Sequence, residues 1–131
     1  METLIAIVDP SGSEWNQIAR ILKEHGYDAL STVEIASLDR LMEETECRVV
    51  IVDLDYCPAD NRFFRLLKTT RPEVTIFAIS DRPFHPELKE ALATHICACL
   101  RKPLDVDELV FWLKAILPDA HARDPTRHYD E

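Results

Sequence analysis

The sequence contains only two glycines, Gly12 and Gly26, and neither lies in a glycine-rich loop. Nucleotide-binding folds that hold phosphate with backbone N–H groups need such a loop. No apolar run approaches the ~20 residues of a membrane helix. The run from Leu4 to Val8 is too short, and too uncharged in front, for a secretory signal. We therefore expect a cytoplasmic protein without a membrane segment.

Dense clusters of lysine and arginine are also missing. The chain has 24 acidic and 15 basic residues, for a formal charge of −9. Binding to nucleic acid needs a basic face for the phosphates, so direct nucleic-acid binding is not expected. The cysteines lack Cys-x-x-Cys spacing and nearby histidine partners, which favours reduced, partly buried thiols over a zinc site. They are Cys47, Cys57, Cys97 and Cys99.

What the sequence does contain is a fivefold alternation of strand-like and helix-like segments. Short aliphatic runs such as Val49 to Asp53 are typical of parallel strands buried on both faces, and apolar residues recur at helical spacing between them. Gly26 is expected to end the first helix, and Asp105 to cap the last. Strands are predicted at 4–9, 27–31, 49–53, 74–80 and 96–100, and helices at 13–25, 33–45, 59–70, 86–94 and 105–117.

Five βα units predict a parallel sheet with helices on both faces, because right-handed crossovers place them there. The 131 residues fit one domain, predicted at 1–117, and the polar residues 118–131 are interpreted as a tail or the start of a linker. In such sheets the functional groups gather beyond the carboxyl ends of the strands. The residues predicted there are Asp9, Asp53, Ser80 and Lys102.

These four side chains suit a phosphoryl group. A carboxylate can attack phosphorus, with a metal ion to offset charge and donors for the transferred oxygens. Asp53 would attack, Asp9 would help to hold the metal, and Ser80 and Lys102 would bind the phosphoryl oxygens. Nothing in the sequence looks like a leaving-group acid or an independent catalytic base.

Over residues 3–117 the chain resembles a response-regulator receiver domain of bacterial two-component systems. The matching motifs are Ile7-Val8-Asp9, Val49-Val50-Ile51-Val52-Asp53, Ala78-Ile79-Ser80, and Leu100-Arg101-Lys102-Pro103 followed by Asp107-Glu108-Leu109. The resemblance implies a flavodoxin-like (βα)5 doubly wound sheet of strand order 2-1-3-4-5. It implies phosphotransfer to Asp53 from a histidine kinase or phosphotransfer protein, and a cis bond between Lys102 and Pro103. It also implies Mg²⁺, held by Asp9, Asp53 and the backbone carbonyl of Asp55.

The acidic pair of the family is degenerate in this chain. Pro10 follows Asp9 where receivers usually have a second acid that touches the metal. Proline has no side-chain oxygen, so weaker Mg²⁺ binding is expected. A gap in the loop that follows would instead move Asp9 into the ligand position, and both arrangements stay open.

Two further acids depart from the pattern. Asp55 is interpreted as a solvated loop residue, although the position of Pro58 also allows Asp55 to be the acceptor. The apolar run that ends at Asp53 favours Asp53. Asp81 follows Ser80 where receivers prefer a small residue, and a carboxylate there would repel a phosphoryl group at short range.

A contact surface is predicted on the last helix, where Phe111 and Trp112 fall toward the outer flank. Outward aromatic residues often mark protein contacts, although either ring would equally fit under a neighbouring helix. Receivers commonly dimerise or meet an output domain or partner protein through this region. Cys99 belongs to the same predicted interface and replaces an aromatic that usually swings inward on activation.

Two functions therefore stay open for the chain, whether it is a stand-alone receiver or a piece of a longer regulator. Asp53, Ser80 and Lys102 favour a phosphoaccepting receiver. Pro10 and Asp81 favour a pseudo-receiver, a protein-interaction module that acts without phosphorylation. A small flavodoxin-like enzyme or nucleotide binder ranks below both because the glycine-rich phosphate loop is missing.

Overall fold

The computed structural model describes residues 4–8, 15–32, 34–57, 59–83 and 85–117. Four features singled out in the sequence lie outside these ranges: Asp9, Pro10, Pro58 and the segment 118–131. What the sequence predicts for them stays a prediction.

A five-stranded parallel sheet forms the centre of the fold, in the order β2-β1-β3-β4-β5. The strands are β1 (Leu4–Val8), β2 (Asp28–Thr32), β3 (Cys47–Asp53), β4 (Thr75–Ser80) and β5 (Ile96–Arg101). This confirms the predicted flavodoxin-like order. β3 is central and covered on both faces, which explains why its residues from Val49 to Val52 are apolar without alternation.

Four α-helices flank the sheet: α1 (Trp15–Glu24), α2 (Leu38–Glu44), α3 (Asn61–Thr70) and α4 (Val106–Ile116). A 3₁₀ turn at Ile35–Ser37 leads into α2. None of the helices within the described ranges has the length and hydropathy that a bilayer crossing requires.

The short helix predicted at 86–94 is present, but its turns are not of the regular α type. The chain forms a 3₁₀ turn at Pro86–Leu88 and a π-helical turn at Ala91–His95. The wider π turn arises because the N–H of Ile96 donates to the carbonyl of Ala91, five residues earlier.

This segment between β4 and β5 is tied to α3 by side chains. The amide of Asn61 donates to the carbonyl of Glu87 at 3.1 Å and accepts from the N–H of Ala91 at 2.9 Å. Arg65 makes a two-pronged ion pair with Glu90, at 2.7 and 2.8 Å, which lowers the pKa of Glu90 to about 2. α3 therefore holds the segment in place although it is not a regular helix.

The two faces of the sheet carry separate apolar cores. Successive residues of a strand point to opposite faces, so Val50 and Val52 join the core that contains Phe64 of α3. Val49 and Ile51 join the other core, where the buried side of α4 packs. Helices cover both faces, as the sequence pattern predicts.

Two predicted helix ends are confirmed. Gly26 follows α1 with a φ of 91°, a conformation that suits glycine because it has no Cβ. Asp105 caps α4, its carboxylate accepting from the N–H groups of Asp107 and Glu108 at 3.0 and 3.4 Å. The cap lies three residues beyond Lys102, so the start of α4 is anchored beside the end of β5.

We predict that Asp105→Ala lowers the free energy of unfolding by about 1 kcal/mol, because two N–H groups at the start of α4 lose their acceptor. Asp105→Asn should retain most of that stability, because asparagine caps about as well as aspartate. Urea denaturation of both variants beside the native chain measures the difference. Equal loss in the two variants would contradict a capping role.

Candidate functional site

The sheet register brings three predicted site residues to one edge. Asp53 is the last residue of β3, Ser80 is the last residue of β4, and Lys102 follows β5 directly. The backbone N–H of Lys102 donates to the backbone carbonyl of Ser80 at 3.0 Å, so these two residues lie side by side. The carboxyl ends of neighbouring parallel strands thus form one polar site, as predicted.

The carboxylate of Asp53 is almost fully buried, with its side chain 2% exposed. The ammonium of Lys102 donates to Oδ1 at 3.0 Å and to Oδ2 at 2.8 Å, and the N–H of Asp55 donates to Oδ1 at 3.0 Å. These donors replace the water that the carboxylate loses on burial, a loss that would otherwise be costly. Asp53 is therefore held in one orientation at the end of the central strand.

Lys102 contacts a second carboxylate as well. Its Nζ lies 3.0 Å from Oδ2 of Asp55 and 4.8 Å from the centre of the Tyr56 ring. Burial lowers the pKa of Lys102, but the hydrogen bonds to Asp53 and Asp55 outweigh that effect and leave the pKa raised. The bond from Lys102 to Pro103 is cis, as the resemblance predicts.

The side chain of Asp55 corrects the interpretation of this residue as a solvated loop acid. Its Oδ1 accepts from the hydroxyl of Ser80 at 2.9 Å, and its Oδ2 accepts from the N–H of Asp81 at 2.8 Å. Burial raises the pKa of Asp55, but hydrogen bonds from Asp81, Lys102 and Ser80 outweigh it and hold the pKa below its usual value. These hydrogen bonds could not be predicted from the sequence, because the donors are distant from Asp55 along the chain.

Ser80 is fully buried and has a second contact, since its Oγ accepts from the N–H of Arg82 at 3.0 Å. That bond, together with the hydroxyl's donation to Asp55, sets the direction of the O–H. Asp81 has an exposed side chain, and only its backbone N–H reaches into the site. The short-range repulsion predicted for the Asp81 carboxylate is reduced by this outward placement.

The carboxylate oxygens of this site are chemically suited to binding Mg²⁺. Two carboxylates, Asp53 and Asp55, share the one ammonium of Lys102, and oxygen atoms are the ligands that Mg²⁺ prefers. Within the described ranges no group of three or more His, Cys, Asp and Glu side chains is placed to hold a metal. The remaining predicted ligand, Asp9, lies outside those ranges.

The residues predicted to form a protein contact occupy different environments. Phe111 is 70% exposed on α4. Trp112 is partly buried against the core, with its ring centre 6.0 Å from that of Phe77. Cys99 is exposed and lines a cavity of about 780 Å³ beside Arg82. The outward aromatic is thus Phe111, and the contact itself stays a prediction.

Comparison with solved structures gives the same architecture over nearly the whole chain. The signal receiver domain of an HD domain-containing protein from Pseudomonas fluorescens Pf-5 superposes with a TM-score of 0.79 at 18% identity, covering 94% of this chain and 100% of that one. A CheY-like receiver domain protein from Methanospirillum hungatei JF-1 gives 0.78 at 15%, covering 93% and 98%. An atypical orphan response regulator with a phosphorylation-independent regulatory mechanism gives 0.72 at 19%, covering 88% and 95%.

The chain therefore has the fold of response-regulator receiver domains. No family model and no curated protein matches its sequence. At these identities the likeness establishes the fold, and the chemistry has to be argued from the residues of this chain.

We predict that Lys102→Met destabilises the protein by roughly 3 kcal/mol, because two partly or fully buried carboxylates lose their shared cation. Lys114→Met, at an exposed position of α4, is the matched control and should change little. Urea unfolding at neutral pH measures both. Adding Asp53→Asn to Lys102→Met should recover part of the loss, and a purely additive double variant would show that the two groups are not coupled.

Proposed function

We propose that this chain is a receiver domain that accepts a phosphoryl group on Asp53 from the phosphohistidine of a histidine kinase or phosphotransfer protein. The observation that carries the proposal is the contact of the Lys102 ammonium with both oxygens of Asp53, beside the hydroxyl of Ser80. The receiver-domain fold supports it. The protein would act as a signalling module rather than as a classical enzyme.

In the proposed step an oxygen of Asp53 attacks phosphorus while the bond from phosphorus to the donor imidazole breaks. The imidazole leaves with the electron pair, and an acyl phosphate forms on Asp53. The ammonium of Lys102 moves from the carboxylate to the transferred oxygens, and the Ser80 hydroxyl donates to another. Asp53, the backbone carbonyl of Asp55 and Asp9 are the groups that would hold Mg²⁺, and a bound Mg²⁺ would supply positive charge to offset that of the phosphoryl group.

Asp53 is the better acceptor of the two candidate acids. Its carboxylate ends the central strand and receives Lys102 on both oxygens. The oxygens of Asp55 also have donors, namely Ser80, Asp81 and Lys102, so the presence of donors does not distinguish the two acids. The position of Asp53 at the end of the central strand supports its role as the acceptor, in agreement with the strand pattern.

A second function is favoured by the same contacts of Asp55. Ser80 and Lys102, which would bind a phosphoryl group, already contact the carboxylate of Asp55. The site can therefore be ordered without phosphorylation. In this alternative the chain is a pseudo-receiver that binds its partner in the unmodified state. The phosphorylation-independent orphan regulator of the same fold is a precedent for such a mechanism.

The proposed output surface lies on α4 in either case. Phe111 presents a large apolar side chain to solvent, and such side chains mark contacts when a partner covers them. The contact would be with an output domain, a partner protein or a second copy of the chain. We propose residues 1–117 as the signalling domain, acting in the cytoplasm, and 118–131 as its tail or linker.

We predict that acetyl phosphate with Mg²⁺ adds a phosphoryl group to the native chain and that Asp53→Asn abolishes the addition. The reason is that the amide has no nucleophilic oxygen of comparable strength. Intact-mass measurement follows the adduct. Asp60→Asn is the control, since Asp60 caps α3 away from the site and asparagine still caps.

Two results would redirect this proposal. Labelling that survives Asp53→Asn but disappears in Asp55→Asn would make Asp55 the acceptor. No adduct on any folded variant, with a known receiver labelled in parallel, would favour the pseudo-receiver.

We also predict that Phe111→Ser weakens self-association of the activated domain while leaving the rate of labelling unchanged, because the side chain lies on the surface and outside the site. Leu66→Ser on α3, where the side chain is 53% exposed, is the matched control. Sedimentation of the phosphorylated proteins measures association. The same association state in all three proteins would contradict a self-contact through Phe111.

A further inference from the structure

Three hydrogen-bond donors converge on the carboxylate of Asp55. They are the hydroxyl of Ser80 at 2.9 Å, the N–H of Asp81 at 2.8 Å and the ammonium of Lys102 at 3.0 Å. These come from the end of β4 and from the residue after β5, whereas Asp55 follows β3. We call the three donors the donor set.

The donor set consists of groups that an acyl phosphate on Asp53 would need. Ser80 and Lys102 are the residues assigned to its oxygens, and the N–H of Asp81 points at the same acceptor as the Ser80 hydroxyl. A carboxylate and a phosphoryl group both offer anionic oxygens, and each forms short, charge-assisted hydrogen bonds. One donor set cannot serve both acceptors fully at the same time.

We infer that the Asp55 carboxylate occupies the donor set that would bind the phosphoryl oxygens. It therefore has to leave the donor set before that set can bind a phosphoryl group on Asp53. Asp55 is thus a positioning residue that slows phosphorylation and keeps the unmodified site ordered. The inference rests on the proposed acceptor role of Asp53 for its kinetic consequence. Occupation of the donor set itself does not depend on that role.

The local geometry allows the side chain to leave without moving the backbone. The N–H of Asp55 stays anchored to Oδ1 of Asp53 at 3.0 Å, and the neighbouring side chain of Tyr56 is 59% exposed, so open solvent lies close by. The Asp55 side chain itself is 17% exposed. A phosphoryl group brings more negative charge than a carboxylate and would compete for the same donors while repelling Asp55.

The kinetic test compares phosphorylation by acetyl phosphate with Mg²⁺ in the native chain, Asp55→Ala and Asp81→Ala. Asp55→Ala empties the donor set and keeps the backbone carbonyl, so labelling should be on the order of tenfold faster, the effect expected when one charge-assisted contact no longer competes. Asp81→Ala removes an equal charge from an exposed side chain one residue from Ser80 but leaves Asp55 in place. Its rate should rise much less.

A second test does not require phosphorylation. In the Asp53→Asn background the carboxylate that would repel an anion is gone. Inorganic phosphate should then raise the thermal unfolding midpoint of Asp53→Asn/Asp55→Ala in a concentration-dependent way, because it binds the emptied donor set. It should leave Asp53→Asn alone unchanged, because Asp55 still fills the donor set. If an alanine variant does not fold, Asp55→Gly replaces it, because glycine also has no side-chain acceptor.

The two tests separate this inference from the proposed function. Equal labelling rates in the native chain and Asp55→Ala, or an equal gain in Asp81→Ala, would overturn the inference and leave Asp53 as acceptor. If no variant is labelled, the proposed function fails, and the phosphate titration alone tests the inference about Asp55. Stabilisation of the double variant alone then supports the inference, whereas equal stabilisation of both proteins, or of neither, overturns it.

Discussion

The ammonium of Lys102 lies between two carboxylates, and the arrangement of the whole site depends on this contact. Its Nζ is 2.8 Å from Oδ2 of Asp53 and 3.0 Å from Oδ2 of Asp55. Without it, a carboxylate that is 2% exposed would lose the cation that contacts both of its oxygens at the end of β3. Such a group strongly destabilises a fold. The lysine therefore contributes to stability, and in the proposed function it would also bind the phosphoryl oxygens.

Lys102 reaches this position because the surrounding sheet holds its backbone. β5 pairs with β4 in parallel, and the N–H of Lys102 continues that pairing by donating to Ser80. The capped start of α4 follows after three residues, so the lysine is held from both sides. The irregular segment 86–95, which connects β4 to β5, is tied to α3 through the ion pair of Arg65 and Glu90.

Asp55 connects the two candidate functions. As an internal acceptor for the donor set, it would order the site of an unmodified domain, which is what a phosphorylation-independent module needs. As a displaceable acceptor, it would also set the rate at which Asp53 is modified. The two functions then differ in how readily the carboxylate leaves the donor set. That is a matter of competing hydrogen bonds and charge rather than of a different fold.

The sequence by itself predicted five βα units, the two-sided core and the placement of Asp53, Ser80 and Lys102 at one edge, because apolar runs and helical spacing are local patterns and parallel strands end together. The order of the strands was implied by the resemblance to receiver domains, and the structure confirms it. The sequence predicted a helix at 86–94 but not its 3₁₀ and π turns, because the type of turn depends on the hydrogen-bond register. Only the tertiary structure decided that Phe111 is the outward aromatic and that Asp55 is hydrogen-bonded rather than solvated. The donors of Asp55 lie 25 or more residues away, and no local pattern reports such partners.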